Sequence, residues 1–368
     1  MKFPSMSIQI GKIMSIPIKL HITFLLILPL FAWIFSIQPS PFGFLEIEPA
    51  LTRYFFGTIA AIALFICVIL HELGHSFVAM KYGIKIKNIT LMIFGGVASM
   101  ESIPKAPKAE FLIALAGPSV SIILGIISLV LLNIWIIPVF GIESPFFILF
   151  NLLGWLNIVL GIFNLLPAFP MDGGRILRAG LATQMSHINA TRIAVYIGQS
   201  FAVLMVIFGI LIPNIFFILI AFFIYVAASE ELKVMEIDTL LGDVKIRDIM
   251  TVNVESVYPD MKINALLDLM FNKKHMGYPV INTTSRTVIG IVTFSDVQKI
   301  PIDKRDFTLV RDVMAKNIIS IASDEGVFNA LNILYQNGIG RLLVIENGVL
   351  KGIISRTDII VAIQLLKK

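Results

Sequence analysis

Polar residues are sparse along the first two thirds of the chain and frequent along the last third. In the first part, apolar runs near twenty residues recur at roughly 20–37, 54–80, 111–135, 146–166, 193–212 and 215–232. Each is close to the length a helix needs to cross the hydrocarbon of a bilayer. Six membrane helices are expected, the last two joined by the tight turn Pro213-Asn214. Between the second and third runs, Ile84-Lys85-Ile86-Lys87 alternates, and β-branched residues follow as far as Ala98. That pattern predicts strands. Gly95-Gly96 within it permits a turn or a close backbone approach. Such a strand pair either links two helices or also offers an edge to an extended peptide.

After about residue 238 the pattern changes and repeats. Ile246-Arg247-Asp248-Ile249-Met250 recurs as Val310-Arg311-Asp312-Val313-Met314, and Gly290-Ile291-Val292-Thr293-Phe294-Ser295-Asp296 as Gly352-Ile353-Ile354-Ser355-Arg356-Thr357-Asp358. Each copy reads as an extended start, a helix, two strands and a helix, with first helices at 263–272 and 327–337. The fold class is thus a membrane α-helical bundle with a short β-strand region, followed by a soluble α/β repeat module. The expected domains are 1–237, 238–305 and 306–368.

Composition agrees with this division. Hydrophobic residues make up 57% and charged residues 14% of the 368, and the mean hydropathy is +0.90. An ordinary soluble domain is far less apolar. The net charge of +5 is small and has no basic stripe, so nucleic acid is not an expected partner. The single cysteine, Cys67, excludes an internal disulfide. No small-residue cleavage site follows the first apolar run, which is read as a retained span.

Loop charges set an orientation. Lys2, Lys12 and Lys19 precede the first run; Glu46, Glu48 and Arg53 follow it; then come Lys81, Lys85, Lys87, Lys105 and Lys108; then Glu143; then Arg175, Arg178 and Arg192. Basic and non-basic loops alternate. The positive-inside rule puts the amino terminus and the soluble tail in the cytoplasm of a multi-pass protein of the cell membrane.

The chemistry concentrates in His71-Glu72-Leu73-Gly74-His75, inside the second run. Positions i and i+4 share a helix face, so His71 and His75 can hold one metal ion. Glu72 beside them can act as general base toward a water on that metal. His71 lies nine residues before Met80, roughly 14 Å along a helix, which is nearer the cytoplasmic face. A catalytic zinc usually takes three protein ligands. Glu46, Glu48 and Glu143 fall on the outer side. Glu101 and Glu110 flank lysines in a basic loop and read as solvated. Asp172 remains. Considered alone, Asp172 reads as the N-cap of a helix at 173–184; the need of the two histidines for a third partner makes it a ligand. Asn164 could orient a substrate carbonyl or stabilise an oxyanion, or could make an interhelical hydrogen bond. Cys67, one turn before His71, reads as a small core residue. His21, His187 and His275 read as structural or solvated.

The pairing of His-Glu-Leu-Gly-His with Asn164-Leu165-Leu166-Pro167-Ala168-Phe169-Pro170-Met171-Asp172-Gly173 resembles the site-2 proteases, which are intramembrane zinc metalloproteases. Gly95-Gly96-Val97-Ala98 and Ala116-Gly117-Pro118 are similar to the central region of that family. The resemblance covers roughly residues 1–235. It implies one zinc per chain on His71, His75 and Asp172, Glu72 as base and Asn164 as an accessory group. It also implies cleavage of transmembrane segments of membrane-bound substrates, often regulators.

The repeat resembles a tandem pair of CBS domains. By that resemblance Thr293, Asp296, Ser355 and Asp358 would contact the phosphate and ribose of a nucleotide such as ATP, ADP or AMP, and the pair could join two copies of the chain. The same four residues could instead cap the helices that follow them. A transporter or channel gated by the repeat, with the His/Asp site on an ion path, is the alternative function. A catalytically silent receptor is a third, and the intact Glu72 argues against it.

Overall fold

The computed structural model describes residues 7–92, 95–100, 106–285 and 287–367. Lys2, Glu101 and Lys105, whose charges bear on the orientation, lie outside them. The described residues form two compact units, Met1–Met235 and Glu236–Lys368.

The first unit opens with two strands that precede the first apolar run and take over its first two residues, Leu20 and His21. Ser7–Ile13 (β1) and Ile16–His21 (β2) form an antiparallel hairpin. Its turn residues, Met14 and Ser15, both have positive φ, at 51° and 67°, the sense that two-residue hairpins require. Ile86–Met92 (β3) pairs in parallel with β2 and antiparallel with Gly95–Met100 (β4). The sheet order is β1-β2-β3-β4, so β4 is an edge strand. Met92 partners Gly95. Gly95-Gly96 therefore lies inside a strand and not at its turn, whose residues 93 and 94 are outside the described set.

The run at 20–37 does not make a full span. Leu20 and His21 end β2, and the helix Phe24–Ile37 (α1) has 14 residues. At 1.5 Å per residue it reaches roughly 21 Å, short of the ~30 Å hydrocarbon thickness. Among the described residues, five helices are long and apolar enough to cross a membrane: Ala50–Lys81 (α2), Pro107–Phe140 (α3), Pro145–Asn164 (α4), His187–Leu211 and Ile215–Leu241. The short helix Asp172–Leu181 (α5) lies between α4 and His187–Leu211 (α6), and Ile215–Leu241 is α7. A π-helical turn, Leu132–Ile136, interrupts α3. Prolines set the starts of α2, α3 and α4, where a missing N–H costs nothing. Pro167 stops α4.

Packing brings the sheet onto the His-Glu-Leu-Gly-His motif. Ile16, Ile18 and Ile89 form one buried cluster with Leu73 of α2. Phe24 of α1 meets Phe65 of α2 edge-on, with ring centroids 4.5 Å apart. Ser128 of α3 donates to the Phe150 carbonyl of α4 at 2.8 Å, a polar tie of the kind that holds helices together in lipid. On the outer faces large apolar side chains stand open, among them Ile123, Ile126, Ile134 and Leu204. In water such faces would aggregate; against acyl chains they are the matched surface.

In the second unit each repeat contributes a helix (Ile263–Lys273; Val327–Gln336), an antiparallel strand pair (Gly277–Ile281 with Val288–Thr293; Arg341–Glu346 with Val349–Ser355) and a closing helix (Phe294–Val297; Arg356–Leu366). The leading segments are exchanged. Ile246, which opens the first repeat, is buried in the core of the second with Leu334, Val344 and Ile354. Val310, which opens the second, is buried in the core of the first with Leu266, Val280 and Val292. Neither repeat completes its core alone.

Candidate metal centre

His71 and His75 sit one turn apart on α2, both buried. Their Nε2 atoms are 3.1 Å apart. Asp172 Oδ2 lies 3.3 Å from His71 Nε2 and 3.1 Å from His75 Nε2. The three atoms form a nearly equilateral triangle. Zinc bonds of about 2.0–2.1 Å in tetrahedral geometry require ligand-to-ligand edges of roughly 3.3–3.4 Å. The donor set and its spacing thus fit a zinc ion. Among the described residues this is the one group of His, Cys, Asp and Glu with metal-holding geometry, and Cys67 is not part of it.

Asp172 is the first residue of α5, and the cap position belongs to Met171, so the carboxylate is free for the imidazoles. The chain reaches that point through the irregular segment between Leu165 and Met171. Gly173 and Gly174 pack against the backbone of residues 165, 166 and 168, closer than any side chain would allow.

The far side of each imidazole is held by α3. His75 Nδ1 donates to the Ile113 carbonyl at 2.6 Å, and His71 Nδ1 is 2.9 Å from Ser121 Oγ. A carbonyl only accepts, so the His75 proton is on Nδ1 and the lone pair of Nε2 faces the triangle. Gly117 stands between these two supports. A Cβ there would lie 2.7 Å from His71 Nε2 and closer still to His75 Nε2. Spacing alone does not single out Gly117. Its signal is the Ala116-Gly117-Pro118 triplet, whose glycine at mid-helix is costly without a packing reason.

Glu72 points under the sheet. A Cβ on Gly96 of β4 would lie 2.6 Å from Glu72 Cγ and 3.3 Å from its Oε1. The close backbone approach expected of Gly95-Gly96 is thus made onto the carboxylate beside the histidines.

Asn164 is at the end of α4, with its amide nitrogen donating to the Leu160 carbonyl of the same helix at 2.9 Å. The bond is intrahelical, neither of the two roles its position suggests.

Glu110 corrects an expectation. It is not solvated: it is 3% exposed, and Arg178, 1% exposed, donates to it through Nε at 2.7 Å. His187 Nε2 is 3.1 Å from the other Glu110 oxygen. Flanking lysines describe the surface of this loop and not the face that α3 turns inward. His21 contacts Thr23 within its own turn.

In the second unit the four residues expected at a nucleotide cap their helices. Asp296 Oδ2 accepts from the backbone N and the Oγ1 of Thr293, at 3.0 and 2.6 Å. Asp358 Oδ2 accepts from Ser355 N and Oγ, both at 2.8 Å. Arg341 belongs to no motif that would mark it in the sequence. A Cβ on Gly277 would lie 2.6 Å from its Nη1. Burial pulls its guanidinium below the usual value, and nearby Asp358 and Tyr278 oppose that shift. Burial raises the Tyr278 phenol, and Glu255 adds to the rise.

Comparison with known proteins bears on both units. The family model for peptidase family M50 matches residues 59–142 and 136–208, and that for the CBS domain matches 246–303 and 310–365. A zinc metalloprotease of Methanocaldococcus jannaschii is 41% identical over 361 residues, 98% of this chain and 97% of that protein. The protein Rip3 of Mycobacterium tuberculosis is 28% identical over 370 residues, 96% of this chain and 92% of its own. Among solved structures, a site-2 protease from Methanocaldococcus jannaschii is 44% identical, with a TM-score of 0.45, covering 61% of this chain and 95% of that one.

Proposed function

Since the chain belongs to peptidase family M50, the site-2 proteases, we propose that His71, His75 and Asp172 hold its zinc, that Glu72 is its catalytic base and that β4 receives its substrate. The protein is an integral membrane zinc metalloprotease that carries a tandem CBS module and acts on membrane proteins. Membership favours hydrolysis over the channel reading.

The observation that carries the proposal is the triangle of Nε2, Nε2 and Oδ2 with Glu72 next to it in sequence and β4 lying over its side chain. Bound there, zinc supplies a Lewis acid and makes a coordinated water acidic enough to ionise near neutral pH. His71 and His75 each offer one lone pair, held in place by Ser121 and Ile113. Glu72 takes the proton of the attacking water and returns it to the leaving nitrogen as the peptide C–N bond breaks. A transmembrane helix must unwind for its peptide bond to reach these groups. The free edge of β4 gives the unwound segment backbone partners in place of those it loses. Substrates with proline at alternate positions beside the scissile bond should lose cleavage, because proline lacks the N–H. Asn164 serves as an accessory donor once its amide leaves Leu160. The amino terminus and the CBS pair, 238–305 and 306–368, face the cytoplasm of the cell membrane. The pair binds an adenine nucleotide, with Arg341 on phosphate, and can join two copies of the chain.

The test is Glu72→Gln in full-length protein with a membrane-embedded substrate. Cleavage should disappear while zinc stays near one per chain. A variant that still cleaves removes Glu72 from the base role, and one that loses its zinc makes Glu72 part of the metal site.

A further inference from the structure

Six residues after Asp172, Arg178 enters a charged cluster in which it and Glu110 are buried while Glu231 and His187 are part-exposed. Its Nε donates to Glu110 Oε1 at 2.7 Å and its Nη1 to Glu231 Oε1 of α7 at 2.7 Å. Its guanidinium lies 5.0 Å from the centre of the Phe169 ring. His187, the first residue of α6, holds the second oxygen of Glu110. One side chain on α5 therefore ties α3, α7 and the segment before Asp172, and Glu110 adds α6. Burying such charges in a membrane bundle is expensive, and their geometry must be closely matched to hold them.

The position of Glu110 gives this cluster a role beyond packing. On α3, Glu110, Ile113, Gly117 and Ser121 follow at spacings of three and four, so they share one face. Three of them touch the imidazoles: Ile113 holds His75, Ser121 holds His71, and Gly117 faces both Nε2 atoms. The fourth, Glu110, holds Arg178. The helix that orients the two histidines is thus bonded to the helix that presents Asp172. Two ligands come from α2, braced by α3, and the third comes from α5, about a hundred residues away in sequence. Their register depends on how α5 sits against α3.

We infer that Arg178 and Glu110 are positioning residues for the metal centre: their ion pair sets α5 against α3 so that Asp172 closes the ligand triangle. Arginine is required because one planar fork spans Glu110 and Glu231 together; the point charge of a lysine cannot. The inference rests on the reading of His71, His75 and Asp172 as the ligand set.

The test uses full-length protein in detergent, stripped of metal and titrated with Co2+, read by the visible d–d absorption and by affinity. Asp172→Ala, Arg178→Lys, Arg178→Gln, Glu110→Gln and the Arg178→Gln/Glu110→Gln pair are compared with the parent. Asp172→Ala should change the spectrum. Arg178→Lys and Glu110→Gln should weaken Co2+ by about ten- to a hundredfold, the range seen when outer partners of metal ligands are removed. They should also shift the spectrum toward that of Asp172→Ala. The double variant should be no weaker than the worse single one, since both break the same bond. Arg178→Lys keeps the buried charge, so it remains readable where Arg178→Gln fails to fold. Folded Arg178→Lys and Glu110→Gln proteins with the parent's spectrum and affinity overturn the inference while Asp172→Ala is altered. An unaltered Asp172→Ala spectrum overturns the ligand reading itself.

Discussion

The missing side chain of Gly117 leaves room for whatever His71 binds: a Cβ at residue 117 would stand 2.7 Å from His71 Nε2. The space beside that atom is shared with the proposed ligand triangle, and a methyl group there would compete with an ion. Gly117→Ala should lose most of its zinc. Helix content should not fall, because alanine favours a helix interior by about 1 kcal/mol over glycine. Metal analysis beside far-ultraviolet circular dichroism checks this. Full zinc occupancy in the alanine variant would show that α3 stands further from the metal.

Gly96 makes the matching approach on the other side of the motif, against Glu72. A side chain there pushes either β4 or the carboxylate, and neither is a zinc ligand. Gly96→Val should keep its zinc and lower turnover by about a hundredfold, the cost of roughly 1 Å of misplacement at a reacting group. Zinc content and kcat measured on the same preparation separate this variant from Gly117→Ala.

Much of this centre is legible in the amino-acid sequence, for physical reasons. The four-residue spacing of His71 and His75 is a helix rule, and loop charges set Glu46, Glu48 and Glu143 on the outer side, so that Asp172 stands out once Glu101 and Glu110 are read as solvated. What stays hidden depends on which way a helix turns. Lys105 and Lys108 make Glu110 look solvated, yet Glu110 stands two residues past Lys108, a rotation of about 200° along the helix. The hairpin of β1 and β2 shows alternation in Ile16-Pro17-Ile18-Lys19-Leu20. There the apolar count of the following run outweighs it, and a 14-residue helix reads as a span. Arg341 acts through what lies opposite it in space, which no local pattern encodes, and the Ala116-Gly117-Pro118 triplet marks Gly117 without saying what it faces.

Ser121 supports His71 through a side chain, whereas Ile113 supports His75 through its backbone. The first support can be deleted by mutation and the second cannot. Ser121→Ala should lower zinc affinity by about ten- to a hundredfold. Competition with a chromophoric chelator reads it. Ser121→Thr, which keeps the hydroxyl, should recover most of the loss if the added methyl is accommodated.

Orientation can be read by labelling. In a Cys67→Ser background, Glu143→Cys should react with a membrane-impermeant maleimide added to intact cells, and Lys108→Cys only after permeabilisation. Glu143 is in the short non-basic loop between α3 and α4, and Lys108 is at the opposite end of α3. The reverse pattern would invert the protein and put the CBS pair outside.

Arg341 is a half-buried guanidinium beside Asp358, lying against Gly277 at the start of the other repeat's strand pair. A phosphate would offset the cost of burying that charge, which is the electrostatic reason to expect an anion there. Arg341→Gln should weaken ATP, ADP or AMP binding by about tenfold or more, and added salt should weaken the parent more than the variant. Asp296→Ala and Asp358→Ala are the controls for capping. Each removes a capping acceptor and should cost about 0.5–2 kcal/mol of module stability with or without nucleotide. If they also abolish binding in protein that is still folded, the carboxylates contact the ligand in addition to capping. Calorimetry of full-length protein with each nucleotide, run beside thermal unfolding, separates the two effects. The absence of heat with all three nucleotides would leave Arg341 as a structural cation and end the nucleotide reading.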